Sequence, residues 1–180
     1  MSLSIVPVTR RTFLAASGAA MAAWAVPAAA ANAGPWAVAK DYLDSGALGE
    51  VIYAQCAQAP VAAFAECLSP ILDLLGLDAP SRVSAAGSPT NQMVMTIEFA
   101  GGPRVVLTSS MAPQGRSQAF VRGTKGLMEI APDGVSVTLD GQATQVLQAA
   151  SARPGAASAK ARAIVTIGIE ACLAAKAYTA

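Results

Sequence analysis

Histidine is absent from all 180 residues of the sequence. Histidine-ligated zinc sites, Ser-His-Asp and Cys-His catalysis, and pH switches built on imidazole are therefore excluded. Charged residues are also scarce, at 13%, and the formal net charge is +1. Without Arg10 and Arg11, which lie in a predicted leader, ten basic residues oppose eleven acidic ones. No basic field remains that would bind nucleic acid or an anionic membrane surface, so neither is expected as a partner.

Cysteine is present only three times, as Cys56, Cys67 and Cys172. An odd number excludes a complete disulfide framework, and no metal-ligand spacing connects the three. One pair could form in an oxidising compartment, and Cys56 with Cys67 is the most plausible choice. The interpretation that we favour is that all three are small, buried, apolar side chains.

The N-terminal segment has the three-part plan of an export signal. Two adjacent arginines are followed by a long uncharged, alanine-rich stretch and then by clustered small residues up to Ala33. The run Thr-Arg-Arg-Thr-Phe-Leu over residues 9–14 resembles the twin-arginine motif. A retained membrane helix is the alternative, but its weak hydrophobicity and Pro27 favour cleavage after Ala31 or Ala33. We therefore predict an export signal over residues 1–33, a periplasmic or extracytoplasmic location, and contact with the membrane only during export.

Residues 34–180 are long enough to bury a single core, and a hydrophobic content of 54% excludes disorder. Apolar periodicity predicts three helices and seven strands. The predicted helices cover residues 36–43, 62–77 and 164–177, and the predicted strands cover residues 51–58, 93–99, 105–111, 117–122, 126–130, 135–139 and 144–148. These elements indicate an α+β fold, with a single, predominantly antiparallel, open-faced sheet and helices packed on one face.

Three local features refine this prediction. Pro70 removes a backbone donor from the second helix, so we expect a kink there or a helix start near Ser69. Residues 149–161 lack any period and are expected to form a flexible loop. The buried side of the last helix is predicted to carry Ile164, Ile167, Ala171 and Ala174 or Ala175.

Four segments of the sequence resemble the C-terminal domain of the Gfo/Idh/MocA oxidoreductases. The first opens that domain, the second is the end of a helix, the third is a hairpin and the fourth lies in the closing helix. They occur in the family's order across nearly all of residues 34–180, which the resemblance assigns to this domain. The segments are DSGALGEV at 44–51, ILDLLG at 71–76, VRGTKGLMEI at 121–130 and IEAC at 169–172.

The family's catalytic parts are not matched. Its members carry a Rossmann domain, but no G-x-G-x-x-G follows a strand within these 180 residues, and the Glu-Lys-Pro motif of the catalytic lysine is also missing. The family places an aspartate and, four residues later, a histidine at the start of a helix. The corresponding positions here are Glu66 and Pro70, and proline cannot transfer a proton. We therefore expect no nicotinamide cofactor, no metal and no redox catalysis.

Three functions remain open. The first is an exported, stand-alone substrate domain that serves as a carbohydrate- or polyol-binding or assembly module, and this is the one we favour. The second is a subunit of a split NAD(P)-dependent sugar oxidoreductase whose nucleotide domain is a separate chain. The third is an enzyme of another class that uses Glu66, Asp73 and the cysteines. The third is the weakest, because two carboxylates seven residues apart on one helix are commonly surface groups.

Five charged residues are candidates for binding a ligand. They are expected to contact hydroxyl or anionic groups of a sugar, although solvated surface charges are the more ordinary interpretation of each. Trp36 could stack on a sugar ring or pack the first helix against the domain. The five candidates are Glu66, Asp73, Arg116, Arg122 and Lys125.

A sheet with helices on one face leaves the other face bare. The resembled family associates through this sheet, and the small polar and apolar residues predicted there suit packing against a second copy. We therefore expect a homodimer, with Thr96, Thr108 and Ser110 or the residues that face the other way at the interface.

Overall fold

The structure is a computed structural model that describes residues 34–109, 118–147, 149–150 and 155–177. The predicted export signal, Ser110 and Arg116 lie outside the described residues. Three α-helices and eight strands are described, with a short 3-10 turn at Val61–Ala63 that precedes the second helix. The helices are α1 (Pro35–Asp44), α2 (Phe64–Leu75) and α3 (Ala159–Ala177). The strands are β1 (Val51–Ala59), β2 (Pro80–Gly87), β3 (Met93–Phe99), β4 (Arg104–Ser109), β5 (Gln118–Gly123), β6 (Gly126–Ala131), β7 (Gly134–Leu139) and β8 (Gln145–Leu147).

All eight strands form one sheet in the order β2-β3-β4-β1-β5-β6-β7-β8. The β1–β4 pair is parallel, whereas the other strand pairs are antiparallel. The predicted α+β fold with a mostly antiparallel open sheet is therefore confirmed. The strands do not follow one another across the sheet in chain order, because β1 lies between β4 and β5.

Burial alternates along the strands, as the period-two side-chain geometry requires. In β3, Met93, Met95 and Ile97 are fully buried, whereas the intervening Val94 and Thr96 are exposed or half-buried. On the described elements, α1 contacts β6 and β7, α2 contacts β1, and α3 contacts β2 and α2. The core therefore forms between the buried side of the strands and these helices.

Helix α2 runs without interruption through Pro70, so the predicted helix start near Ser69 is wrong. The missing N–H of Pro70 costs the hydrogen bond to the carbonyl of Glu66, one turn earlier. The buried residues of the helix, such as Phe64 and Leu68, hold it on the core despite this loss. The helix ends at Gly76, whose positive φ of 60° lets the N–H of Leu77 donate to the Leu72 carbonyl at 2.9 Å.

Strand β2 is not predicted by the sequence pattern. Its residues include Pro80 and Gly87 and are mostly exposed, with Val83 and Ala85 half-buried, so the apolar alternation is weak. It pairs only with β3, at the edge of the sheet. A proline at the first position of an edge strand leaves no ladder bond unmade, which explains why the strand forms despite its composition.

Helix α3 begins at Ala159, five residues earlier than predicted, so the predicted loop is shorter by about one helical turn. The side chain of Lys160 in its first turn donates to the Leu77 carbonyl and pairs with Asp78 at 3.0 Å. The predicted buried face is also wrong, because Ile167 is 51% exposed. The side that is buried carries Ala161, Ile164, Val165, Gly168 and Cys172.

Gly168 allows the buried side of α3 to approach the sheet closely. A Cβ at Gly168 would collide with the side chain of Met95, so the helix backbone lies directly against that side chain. Sequence periodicity weights glycine as neutral and therefore misses a contact that depends on the absence of a side chain.

Candidate functional site

Two adjoining hollows meet at Trp36. The inner cavity has a volume of about 30 Å³, and the residues that line it include Cys56, Glu66, Cys67 and Gln118. The outer groove has a volume of about 400 Å³. Trp36 and Pro70 line both hollows, and the outer groove is completed by Ala37, Lys40, Asp41, Asp73 and Leu74.

Helical spacing brings these side chains together. On α2, Glu66, Pro70 and Asp73 are separated by four and three residues and therefore share one side of the helix. On α1, Trp36 and Lys40 have the same four-residue spacing. The two helices contact each other, and their facing sides form the walls of the outer groove.

The outer groove carries an excess of negative charge. Lys40 donates to Asp44 at 2.9 Å, so its ammonium group is already paired with a carboxylate of its own helix. Asp41 and Asp73 are exposed, and neither side chain makes a hydrogen bond to another described residue. Carboxylates of this kind accept hydrogen bonds from hydroxyl groups and repel anionic ligands.

The inner cavity holds two buried thiols. Cys56 projects from β1, Cys67 projects from α2, and the two side chains are hydrogen-bonded to each other. This hydrogen bond raises the pKa of the Cys56 thiol, and burial and the proximity of a charge on Cys67 raise it further. Cys172 is separate, and its thiol donates to the Gly87 carbonyl at 3.3 Å. The prediction that all three cysteines are buried is confirmed.

The five predicted ligand residues do not form one cluster. Glu66 lines the inner cavity and Asp73 the outer groove, so the structure brings both next to Trp36. Arg122 instead forms an ion pair with Asp140 at 3.1 Å, and neither residue lines either hollow. Arg122 lies four residues beyond Gln118 on β5, about 13 Å along the strand.

Lys125 and Arg116 complete the set. Lys125 occupies the β5–β6 turn, where its backbone N–H donates to the Leu48 carbonyl at 3.1 Å. Arg116 belongs to residues 110–117, outside the described part of the chain.

Three residues of the site are missed by sequence reasoning: Lys40, Asp41 and Gln118. A helical projection of α1 places Lys40 one turn after Trp36 and Asp41 one turn after Ala37, so their spacing on the helix is a signal for this part of the site. Gln118 had no such signal, because its position depends on β5 lying beside β1.

Two kinds of site are not found in the described ranges. No group of three His, Cys, Asp or Glu side chains is arranged to hold a metal ion. Within the same residues, no helix combines the length and the apolar character needed to cross a bilayer.

No family model matches the sequence, and no curated protein is significantly similar to it. Solved structures are similar in fold. An inositol dehydrogenase homolog from Azotobacter vinelandii, complexed with NADH and myo-inositol, has a TM-score of 0.52 at 19% identity over 62% of this chain. Levoglucosan dehydrogenase in complex with NADH and levoglucosan has a TM-score of 0.52 at 14% identity over 76%. Biliverdin reductase from a Synechocystis species, in complex with biliverdin and NADP+, has a TM-score of 0.51 at 17% identity over 67%.

The chain covers 38%, 52% and 47% of these three structures, respectively, which is about half their length or less. At such identities the similarity establishes the fold alone, and the three bound molecules already differ in chemistry. The chain therefore shares the fold of part of these oxidoreductases, which are of the Gfo/Idh/MocA type that its sequence segments resemble.

Proposed function

We propose that this domain binds a sugar or another polyol in the outer groove, as an exported binding or assembly module without redox catalysis of its own. The observation that carries this proposal is that Trp36 lines the same groove, of about 400 Å³, as Asp41 and Asp73. A groove of this size suits a small ligand. An aromatic face covers the C–H groups of a sugar ring, and carboxylates accept hydrogen bonds from its hydroxyl groups.

The residues that line the two hollows support the absence of catalysis. Pro70 stands where the resembled family has a histidine, and both hollows contain it. Glu66 and Asp73, the carboxylates that α2 contributes, are exposed and line different hollows. Binding requires only the groove, whereas removal of a proton from a substrate hydroxyl requires a positioned base.

Calorimetric and thermal-shift measurements with inositols, levoglucosan and common hexoses test the binding proposal. A ligand of the native state raises the melting temperature, and Trp36→Ala and Asp73→Asn should each weaken its binding about tenfold or more. Glu170→Gln, an exposed change on α3, is the matched control and should bind as the wild type does. Equal affinity of Asp73→Asn, Trp36→Ala and the control would contradict the groove as the site.

A second titration tests the absence of cofactor chemistry. Purified protein should bind neither oxidised nor reduced nicotinamide cofactor and should not turn over sugars or inositols. Micromolar cofactor affinity, or steady turnover, would overturn the non-catalytic assignment. Copurification of a nucleotide-binding chain from the native cell would favour the split oxidoreductase instead.

We also propose that the sheet packs against a second copy of the chain. The side of the sheet away from the buried core carries half-buried Phe120, Val106 and Thr96, and its Val94 is 44% exposed. The regular alternation of burial along β3 to β7 supports helices on one face and an uncovered second face. Such a mixed apolar and small-polar surface is typical of subunit interfaces.

The export route is tested by changing the arginine pair. Arg10→Lys with Arg11→Lys should leave full-length precursor in the cytoplasm, because the twin-arginine route requires both guanidinium groups. Normal export and shortening of the double variant would contradict the assignment. An Arg104→Lys variant, in the predicted mature domain, is the matched control and should be exported normally.

A further inference from the structure

The inner cavity contains a feature that ligand binding in the outer groove does not use. Cys56 on β1 and Cys67 on α2 lie on different elements, yet their thiols are hydrogen-bonded to each other. Cys56 is 2% exposed and Cys67 is 7% exposed, and both line the same cavity. Glu66, which is exposed, and Gln118, which is half-buried, line the cavity with them and connect it to solvent.

We propose that Cys56 and Cys67 form a redox-active dithiol, which a hydroperoxide entering the inner cavity oxidises to an intramolecular disulfide. The bond would join the central strand β1 to helix α2, next to Trp36. The proposal depends on the cysteine pair and its cavity and is independent of the ligand assigned to the outer groove.

The geometry assigns different roles to the two sulfurs. Cys67 is the more exposed of the pair, so it is the sulfur that a small oxidant reaches. Cys56 is the more deeply buried sulfur of the pair and lines the same cavity, so it is the one that meets Cys67 after the oxidant has reacted there. Cys67 is therefore the attacking residue and Cys56 the resolving residue.

The reaction balances in two steps. The Cys67 thiol gives its proton to water, and its sulfur attacks one oxygen of hydrogen peroxide, so that the O–O bond breaks. The products are a sulfenic acid on Cys67 and a hydroxide ion, which takes up a proton to become water. The Cys56 sulfur then attacks the sulfenic sulfur, its S–H proton leaves with the displaced hydroxide as a second water, and the S–S bond forms. Two electrons pass from the two thiols to the peroxide.

The size of the cavity selects the oxidant. A volume of about 30 Å³ holds one or two water molecules, so hydrogen peroxide fits. A bulky disulfide such as oxidised glutathione does not fit and cannot place its sulfur against Cys67 for thiol–disulfide exchange. Glu66 lines the cavity, and its carboxylate can accept a hydrogen bond from a peroxide there.

The test uses the purified full chain, fully reduced at the start. The protein is exposed to hydrogen peroxide or to oxidised glutathione, quenched, alkylated in denaturant and analysed by mass spectrometry. With peroxide the intact mass should fall by two hydrogen atoms, and digestion should give one cross-linked peptide pair containing Cys56 and Cys67, with Cys172 alkylated. Oxidised glutathione should give the same product at least tenfold more slowly. The oxidised protein should melt roughly 5–10 °C higher, and dithiothreitol should reverse the shift.

Variants test which cysteine attacks the peroxide and which one resolves the sulfenic acid. If a variant fails to fold, the cross-linked peptide pair from the wild-type protein still tests the proposal. Cys172→Ala is the matched control and should cross-link as the wild type does. Cys56→Ala should accumulate a sulfenic acid on Cys67 that is trapped by dimedone. A cross-link involving Cys172, oxidation of Cys67 to sulfinic acid without cross-linking in the wild type, or thiols unchanged by peroxide would each overturn the proposal. Equal rates of disulfide formation with hydrogen peroxide and with oxidised glutathione would show that the cavity does not select the oxidant by size.

Discussion

The two sides of the central sheet differ in burial although the same strands form both. On β3, Met93, Met95 and Ile97 are fully buried, whereas Val94, between them, is 44% exposed. On β5, Val121 is fully buried and its neighbours Phe120 and Arg122 are half-buried. The buried side chains of one side form the core and therefore specify the fold. The other side is less buried and contributes less to the stability of one chain, and it is the surface that we propose to pack against a second copy.

The largest expected effect comes from removing a phenyl ring from the core. Phe64→Ala should lower the free energy of unfolding by about 3–5 kcal/mol, because Phe64 is fully buried and a cavity remains. Phe120→Ala, on the open side, is the matched comparison and should cost about 1 kcal/mol. Urea denaturation at low protein concentration, where association is weak, measures both. Equal losses would show that the two sides of the sheet are not energetically distinct.

A charge on the open side should affect association while leaving the fold intact. Thr96→Arg places a guanidinium group on the surface that we propose to be the dimer interface, and this should weaken association by about 3 kcal/mol, or roughly 100-fold in Kd. Thr166→Arg, on the exposed side of α3, is the control. Sedimentation at micromolar concentration should show a monomer for the first variant and a dimer for the second. A wild-type protein that sediments as a monomer at this concentration would contradict the proposed dimer.

Alkaline pH should lower the free energy of unfolding, because Cys56 on the buried side of the sheet retains its proton in the folded state. The folded state raises the pKa of this thiol above its ordinary value of 9.0, so above that pH the unfolded chain releases a proton that the folded chain retains. Stability is therefore complete below pH 9.0 and falls by about 1.4 kcal/mol per pH unit above it.

Burial raises the pKa values of Tyr42 and Tyr53 as well, so the Cys56 contribution must be isolated from theirs. The measurement is the difference between reduced wild type and Cys56→Ala in urea denaturation from pH 8 to 10. Parallel pH profiles of the two proteins would contradict the assignment to Cys56.

The smallest expected effect concerns Arg122. Arg122→Gln removes an ion pair with Asp140 whose side chains are 43% and 58% exposed, so the loss should be below about 1 kcal/mol. Asp140→Asn should cost the same. Sugar affinity should not change in either variant, because Arg122 lies outside the two hollows at Trp36. A tenfold loss of affinity in Arg122→Gln alone would restore the sequence-based assignment of Arg122 to the site.

Elements with a strong local sequence pattern were predicted correctly, whereas an element with a weak pattern was missed. The alternation of apolar residues in β3 predicted a real strand, because burial alternates from one residue to the next. Strand β2 was missed because its pairing with β3 outweighs its low strand propensity. The continuous course of α2 through Pro70 was missed because packing of the helix outweighs one lost hydrogen bond.

The candidate site was only partly predictable for the same reason. Glu66 and Asp73 share a helix, so their spacing placed both on one side, next to Pro70. The sequence grouped them with Arg122 and Lys125 by charge alone. Strand direction then carries Arg122 about 13 Å from Gln118 at the cavity, a separation that no local pattern contains.

By itself the sequence determined the class of fold, the absence of imidazole chemistry and the resemblance to the substrate domain of an oxidoreductase family, because these follow from composition and short-range pattern. Only the tertiary structure decided that β1 is a central strand, that α3 rests on Met95 through Gly168, and that Cys56 meets Cys67 beside Trp36. Each of these depends on contacts between segments distant in the chain. Such contacts are selected by the packing of the whole core, which no segment specifies alone.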